Sequence, residues 1–585
     1  MCGIVAMHIL GGNAEKESIE ALKELEYRGY DSFGVFSELR PEPKRYIGAI
    51  SEADIADDLI PESKCAIAHT RWATHGVVAL RNAHPHISRS GTFSVVHNGV
   101  ITNHVALRKS LEANGFVFLS ETDTEVVANL FEFLGGAHRP PEKLLEDVRK
   151  RLEGEYALCV MSKWWGEMIV ATRQESPLIM AVRTDAIALA SDESALQGFD
   201  LCAPLEDEDI LKVWSDSDGV SYELYSPLTY RKLEFEPVVS KTDSCLNGKS
   251  YDSFMLKEME EIPEAIRRAQ ANCTETVIDH VKRKNIVLTG CGSAYYAALY
   301  GAYVRTALNS ALSYTLAFPA DEIHDLHKIN PGESLICISQ SGETYDTLAP
   351  AKYANWGRLD VVAITNSLRS TLSKLSTLTV FQNAGVERCV LSTKSMVSQC
   401  IILQRMFDPQ AASKDHDFAQ LWEDTFKSLS VQTQIMEAVN VLFPVDNIFF
   451  IGRGIMMPIA YENALKVKEV TYKHAEGMGG GFFKHGTLSL IDDRFVTVAH
   501  VPSKKTSPTE YALIDANISE IEARNGVVVR VGHDGQCDIT LPNTHATLNP
   551  ILQLGVGQFL AYHLAVKMGR NVDRPRSLAK SVTVR

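Results

Sequence analysis

The chain opens with MCGIV, so a cysteine follows the initiator methionine and precedes a glycine. A small second residue allows the methionine to be clipped. Cys2 would then carry a thiol and a free α-amine on one residue. Such an amine has a reference pKa of about 8 and can act as the base for an adjacent nucleophile. The other reading is a buried cysteine that starts a strand, the usual fate of a free thiol. A thiolate attacking an amide needs an oxyanion hole, which an Asn side chain and a Gly backbone N–H supply. Asn98 and Gly99 in VVHNGVI offer that pair after a predicted strand. A substrate carboxylate asks for a guanidinium fork, and Arg71 stands in HTRWATHG with Thr74 and His75 beside it. A substrate ammonium asks for an anion, and Asp123 in SETDTE fits, although an Asp there could equally cap the helix that follows. His75, His84 and His86 raise the question of a metal. They lack the i, i+4 spacing of helical ligands, and no metal site is expected.

A second constellation lies in CISQSGET. Ser339, Gln340, Ser341 and Thr344 fall between a predicted strand and a predicted helix. Hydroxyls, backbone N–H groups and a helix N-terminus converging there make an anion site, or else an ordinary Ser/Thr cap. LSTKS adds the hydroxyl of Ser392. In ENALKVKEV, Glu462, Lys466 and Glu469 share one helical face. That face reads as a surface ion-pair ladder or as an acid–base set for enolisation. No G-x-x-x-x-G-K occurs around this loop, so a nucleoside triphosphate is not implied.

Elements must hold these groups in place. Residues up to about 240 read as short strands with a few helices, an α+β layered domain. Residues 236–254 are polar and aperiodic and read as a linker. From there the rhythm is strand, glycine turn, helix, which predicts parallel sheets covered on both faces. NIVLTGCGS is echoed by NIFFIGRGI, with Gly290 and Gly292 answered by Gly452 and Gly454, an internal duplication. The division expected is 1–235, a linker at 236–254, then 255–425 and 426–585.

The whole chain has 585 residues, 45% of them hydrophobic and 22% charged, with a net charge of -15. That balance argues against nucleic acid as a partner, which needs a basic surface. Eleven scattered cysteines without a C-x-x-C pair suggest a reducing cytosol. The apolar stretch after Cys2 lacks the basic flank of a signal peptide, and no apolar run reaches membrane-spanning length. A cytoplasmic protein with no membrane partner is expected.

MCGIV, EYRGYDS, HTRWATHG, HNG and ETDTE together resemble the class II glutamine amidotransferase family, an N-terminal-nucleophile (αββα) fold. The resemblance implies that Cys2 forms a glutamyl thioester and frees ammonia. Asn98 and Gly99 would form the oxyanion hole, and Arg71 would bind the glutamine carboxylate with Thr74 and His75 near it. Asp123 would bind its ammonium, and Trp72 would gate an ammonia path. SQSGET and the tail LAKSVTV make the rest similar to the paired α/β doubly wound sugar isomerase (SIS) domains of the isomerising glutamine–fructose-6-phosphate aminotransferase family. By that likeness Ser339, Gln340, Ser341 and Thr344 hold the phosphate and Ser392 lies against the sugar. Lys580 forms a Schiff base with the open-chain ketose, Glu469 moves a proton between C1 and C2 with Lys466 nearby, and His485 assists ring opening from a neighbouring subunit of a homodimer. The implied activity is glutamine hydrolysis with ammonia channelled to fructose 6-phosphate, giving glucosamine 6-phosphate without a cofactor.

Some positions depart from the family pattern. Ala6 replaces a glycine and Phe33 a small residue in the first half. Ala294 replaces a serine, Phe482 a carboxylate and Thr487 a proline around the sugar. A different ketose phosphate is therefore the alternative substrate, and a non-catalytic sugar-phosphate sensor the alternative class. The long linker insertion of eukaryotic members is missing, and nucleotide-sugar feedback is not expected.

Overall fold

The structure is a computed structural model that describes residues 2–582 apart from 74–75, 137, 218, 227–231, 239–250, 283, 309–312 and 412–416. The chain divides into two compact units, Met1–Asp243 with Ser581–Arg585, and Ser244–Lys580.

In the first unit, period-two strands make two antiparallel sheets of eight and six strands. The strand Gly3–Ile9 runs between Cys65–Arg71 and Ala186–Ala190 in the larger sheet. Its side chains alternate: Ile4 and Ala6 pack with Val96, Ala157, Cys159 and Ala171 of the smaller sheet. Val5, Met7 and Ile9 pack against Ile19, Leu22 and Leu25, in and just after the helix Ala14–Lys23. On the far side of the smaller sheet, Val126, Val127, Leu130 and Phe131 of the helix Thr124–Leu134 cover Val95, Leu158 and Val160. Helix, sheet, sheet and helix thus form the expected αββα layers. Phe33 is buried and stacks on Tyr46 at 4.7 Å, so the larger residue fills a core position.

The second unit holds two five-stranded parallel sheets. In the first, the chain order across the sheet is Thr315–Pro319, Asn285–Gly290, Glu333–Ser339, Asp360–Thr365, Leu378–Phe381. The second repeats it: His474–Gly479, Asn447–Gly452, Phe495–His500, Val527–Gly532, Ile539–Thr540. In each, the first and third strands of the chain are neighbours, so the order reverses between them. Loops at the carboxyl ends of those two strands flank the crevice where open α/β sheets bind ligands. Of the echoed glycines, Gly290 and Gly452 are required by space: a Cβ on Gly290 would lie 2.9 Å from the Ala294 backbone, and one on Gly452 2.4 Å from Met456 O. One shared core runs through the helices Ser293–Leu308, Lys394–Phe407, Met457–Thr471 and Asn549–Lys567.

One sequence expectation changes. Of the expected linker, residues 239–250 lie outside the described residues. Its start is not aperiodic, because Glu236–Pro237 pairs with Leu201–Cys202. Its end is the Ser253 cap, whose side chain accepts from Leu256 N–H.

Candidate functional site

The Cys2 thiol lies where the first strand begins. Its Sγ accepts from Trp72 N–H at 3.2 Å, and Trp72 O is 3.7 Å away. Burial pushes the thiol up, against the opposing pull of the chain's terminal amine, the Trp72 N–H and Arg71. A general base is therefore needed to make the thiolate. Asn98 and Gly99 do not follow the strand Phe93–Ile101 but lie within it, paired with Ala157 and Tyr156. Two neighbours fix the Asn98 amide. Its Nδ2 donates to Cys2 O at 2.9 Å, and its Oδ1 lies 3.1 Å from His69 Nε2. That nitrogen is also 2.9 Å from His97 O. Two acceptors around one nitrogen place the proton there and set the amide with its NH2 toward Cys2. At Gly99, φ is +124° and a Cβ would fall 1.9 Å from Glu155 O, so only glycine fits.

Beside this site sits a buried cluster of imidazoles. The His69 and His84 rings are 4.0 Å apart and His84 and His86 are 4.7 Å apart. Thr124 Oγ1 meets His84 Nε2 at 2.8 Å and His97 Nδ1 at 3.0 Å, while Thr122 Oγ1 meets His86 Nε2 at 3.1 Å. Burial pulls His69 down to about 3 and holds His84 and His86 well below the usual range. All three are neutral hydrogen-bonding groups. Among the described residues no group of histidines, cysteines and carboxylates could hold a metal ion.

Arg71 is buried, with Nη2 donating to Gly76 O at 3.3 Å. Burial pulls its guanidinium down, while Cys2, Asp31 and Asp123 pull it back up. Asp31, which sequence reasoning did not select, ties the loop by accepting from Ala73 N–H at 2.8 Å. Trp72 meets Tyr30 edge-on at 5.7 Å. Asp123 does not cap its helix through the side chain. Its Oδ2 instead accepts from Ile101 N–H at 2.9 Å, which turns the carboxylate toward the end of the Asn98 strand. Thr74 and His75 lie outside the described residues.

In the second unit the SQSGET loop closes on itself. Ser339 Oγ meets Thr344 Oγ1 at 2.9 Å and accepts from Gly342 N–H at 3.0 Å, and Ser341 Oγ accepts from Glu343 N–H at 3.1 Å. Thr344 makes no side-chain cap on the helix Tyr345–Trp356, so the plain cap reading does not describe it. Gly342 has φ +69°, and a Cβ there would be 2.1 Å from Ser370 Oγ. Gln340 and Ser341 stay half-buried at the mouth of the loop. Hydroxyls and backbone N–H groups at a helix N-terminus suit a phosphate.

The face of Glu462, Lys466 and Glu469 is not a surface ladder. Glu462 and Lys466 are buried because their helix, Met457–Thr471, packs inside the unit against Asn549–Lys567. Lys466 Nζ sits 3.4 Å from Glu462 and 2.6 Å from Glu469, and Ser293 Oγ donates to Glu462 at 2.9 Å. Burial pushes Glu462 up to about 7 against the pull of Lys466. Burial alone would pull Lys466 down, but the two carboxylates beside it hold it above its usual range. Glu469 keeps 18% of its side chain exposed and is the member a ligand can reach.

Lys580 is drawn in from the tail, with only 3% of its side chain exposed. It is ion-paired with Glu387 and donates to Leu391 O at 3.2 Å. Ser392 is close by, its Oγ 2.6 Å from Ser395 Oγ. Sequence reasoning missed Glu387; a lone glutamate five residues before Ser392 carries no motif. His485 is exposed on the turn after Gly480–Phe483. Among the described residues nothing joins it to Lys466, Glu469 or Lys580 within one chain. Phe482 is 70% exposed beside it, and Ala294 packs against the core.

Comparison with known proteins agrees with both halves. A glutamine amidotransferase domain model matches residues 69–198, and a SIS domain model matches 281–407 and 441–529. The glutamine–fructose-6-phosphate aminotransferase (isomerizing) of Methanococcus maripaludis is 34% identical over the full length of both chains. That of Pyrococcus horikoshii is 35% identical, also over both full lengths. A solved C-terminal domain of glucosamine-fructose-6-phosphate aminotransferase from Francisella tularensis is 27% identical with a TM-score of 0.49, covering 56% of this chain and 99% of that one. The chain belongs to the isomerising glutamine–fructose-6-phosphate aminotransferase family.

Proposed function

We propose that the protein hydrolyses glutamine at Cys2 and uses the ammonia to aminate and isomerise fructose 6-phosphate to glucosamine 6-phosphate. The observation that carries this reading is the buried Lys580, held against the Leu391–Ser395 segment in the unit that also contains the SQSGET loop. A sugar-phosphate sensor needs the loop but has no use for a buried lysine amine drawn in from the tail of the same unit.

In the glutamine step, the Cys2 thiolate attacks the side-chain amide and ammonia leaves, giving a thioester that water opens. Negative charge develops on the former carbonyl oxygen, where Asn98 Nδ2–H and Gly99 N–H stabilise it. Arg71 and Asp123 take the substrate's carboxylate and ammonium, and Trp72 gates the ammonia path; the further candidates Thr74 and His75 lie outside the described residues. A channel between the two reactions follows from the chemistry, since free ammonia would be lost to water.

In the sugar step, Ser339, Gln340, Ser341 and Thr344 hold the phosphate and Ser392 the sugar. Lys580 condenses with C2, and Glu469 carries the proton between C1 and C2. Lys466 Nζ, 2.6 Å from Glu469, holds that carboxylate in place. The exposed His485 supports a site completed by a second copy, hence a homodimer. All ten described cysteines are free, which supports a reducing, cytoplasmic setting. No helix among the described residues is long and apolar enough to cross a membrane. We also propose domain limits of 1–235, 255–425 and 426–585 around the linker 236–254. The repeated sheets support two domains divided between Phe381 and Asn447; position 425 itself falls within the helix Phe418–Lys427.

The test is an assay with glutamine and fructose 6-phosphate, the product identified by mass and NMR. Glucosamine 6-phosphate supports the proposal. Glutamate release without it, on a panel of ketose phosphates, would move the reading to another sugar, which Ala294 and Phe482 would then explain.

A further inference from the structure

Glu387 is buried, and its carboxylate is nearly saturated with donors. Oε1 accepts from Thr393 N–H at 3.0 Å and Ser395 N–H at 3.1 Å, with Thr393 Oγ1 at 3.4 Å. Oε2 accepts from Ser395 Oγ at 2.6 Å and from Lys580 Nζ. The backbone bonds clamp the carboxylate to the start of the helix Lys394–Phe407, whose dipole also favours an anion there. Burial alone would push this carboxyl up, but Lys580 and Ser395 bring it down to about 2. It is a fixed negative charge and not a proton acceptor. Lys580 spends one N–H on Glu387 and another on Leu391 O, so one of its three N–H directions is left for a reactant.

We propose that Glu387 is a positioning residue and the counter-ion of the imine: it aims the Lys580 nitrogen before the ketose binds and stays hydrogen-bonded to that nitrogen once it is an iminium. The inference rests on the function proposed above. The condensation keeps its charge. An ammonium and a ketone carbonyl give an iminium and one water: the new bond is nitrogen to C2, the C2–oxygen bond breaks, and two ammonium protons leave on that oxygen. The nitrogen is cationic and carries an N–H before and after. An anion fixed beside it therefore needs no rearrangement, which is what preorganised electrostatic stabilisation requires. The same carboxylate orders Ser395, whose hydroxyl holds Ser392 at 2.6 Å, so the lysine and the sugar-facing serine are set by one group.

Other charges surround the pair. Glu258, on the helix Phe254–Glu260, accepts from Cys389 N–H at 3.2 Å. Lys394 is neutralised by Glu261. Neither replaces Glu387 on the Lys580 nitrogen.

The experiment uses the full-length protein with fructose 6-phosphate and cyanoborohydride, which reduces the protonated imine, and maps the adduct by peptide mass. The expected result is a Lys580 adduct in the wild type, formed about ten- to hundredfold more slowly in Glu387→Gln, the loss for a charge-assisted bond in a buried site. The alkaline limit of trapping should also move to lower pH in Glu387→Gln, because an adjacent anion raises the pKa of the iminium and its removal lowers it. Glu387→Asp, which keeps the charge one methylene short, should fall between. Equal rate and pH limit in Glu387→Gln would overturn the inference and leave the function standing. No adduct at Lys580 in the wild type would overturn both. If circular dichroism shows Glu387→Gln unfolded, Glu387→Asp decides, and trapping at the wild-type rate and pH limit would sink the idea.

Discussion

Around Cys2 the imidazoles are neutral beside one buried guanidinium, and the carboxylates Asp31 and Asp123 are each bound to a backbone N–H, whereas Lys466 and Lys580 are each paired directly with carboxylates. The difference follows the charge each reaction develops. Attack on an amide makes an oxyanion, which is best met by neutral donors fixed in place. Imine chemistry makes a cation, which needs an anion fixed close by, as Glu387 is at Lys580. Burial serves both sites in opposite ways. It drains protons from the histidines, and it forces the lysines and glutamates into pairs that breaking would leave uncompensated.

The sharpest way to separate the two sites is to delete one nucleophile at a time. Cys2→Ala should lower glutamine-dependent product formation by about 10⁴-fold or more, while product from ammonium salts persists. Loss of both activities would mean that the sulfur site does not act alone. Glu469→Gln should cut product formation from either nitrogen donor by about 10²–10⁴-fold, the range for a general base, with phosphate-sugar binding by calorimetry retained. A smaller effect falls on the oxyanion side. Gly99→Ala, whose Cβ would strike Glu155 O, should cost about 10²–10³-fold in glutamine hydrolysis. Unchanged hydrolysis would remove Gly99 from the oxyanion hole.

The smallest effect tests the paired-charge side. Burial and the neighbouring Glu387 push Glu258 up to about 8. A carboxyl raised in the folded state contributes stability below its unfolded pKa, and loses it as pH rises through the folded value. Glu258→Gln should therefore gain on the wild type between about pH 4 and 8, by a few degrees in thermal midpoint at the upper end. A gap independent of pH would contradict the buried charge.

Much of this was legible in the residues. Cys2, Asn98, Gly99, Arg71 and Asp123 sit in runs whose residue types single them out as candidates, and strand and helix periods indicated the elements around them. The layered first unit and the doubly wound sheets followed from alternation and from apolar strands broken by glycine. Glu387 and His69 were not legible, because each acts on a partner far along the chain: Lys580 is 193 residues from the one and Asn98 is 29 from the other. For Glu462 the surface and acid–base readings both stayed open, since helical spacing reveals a shared face and not which side of the unit that face meets. His485 tests no geometry within one chain, because its expected partner sits on another.

The neutral imidazole cluster has a practical use. The His69 Nε2 proton is buried and shared between His97 O and Asn98 Oδ1, so it exchanges slowly with solvent and should give a resolved downfield proton resonance. Because that bond fixes the very amide that faces Cys2, the signal is a built-in, label-free gauge of whether the glutamine pocket is occupied, readable without turnover and without altering a single residue.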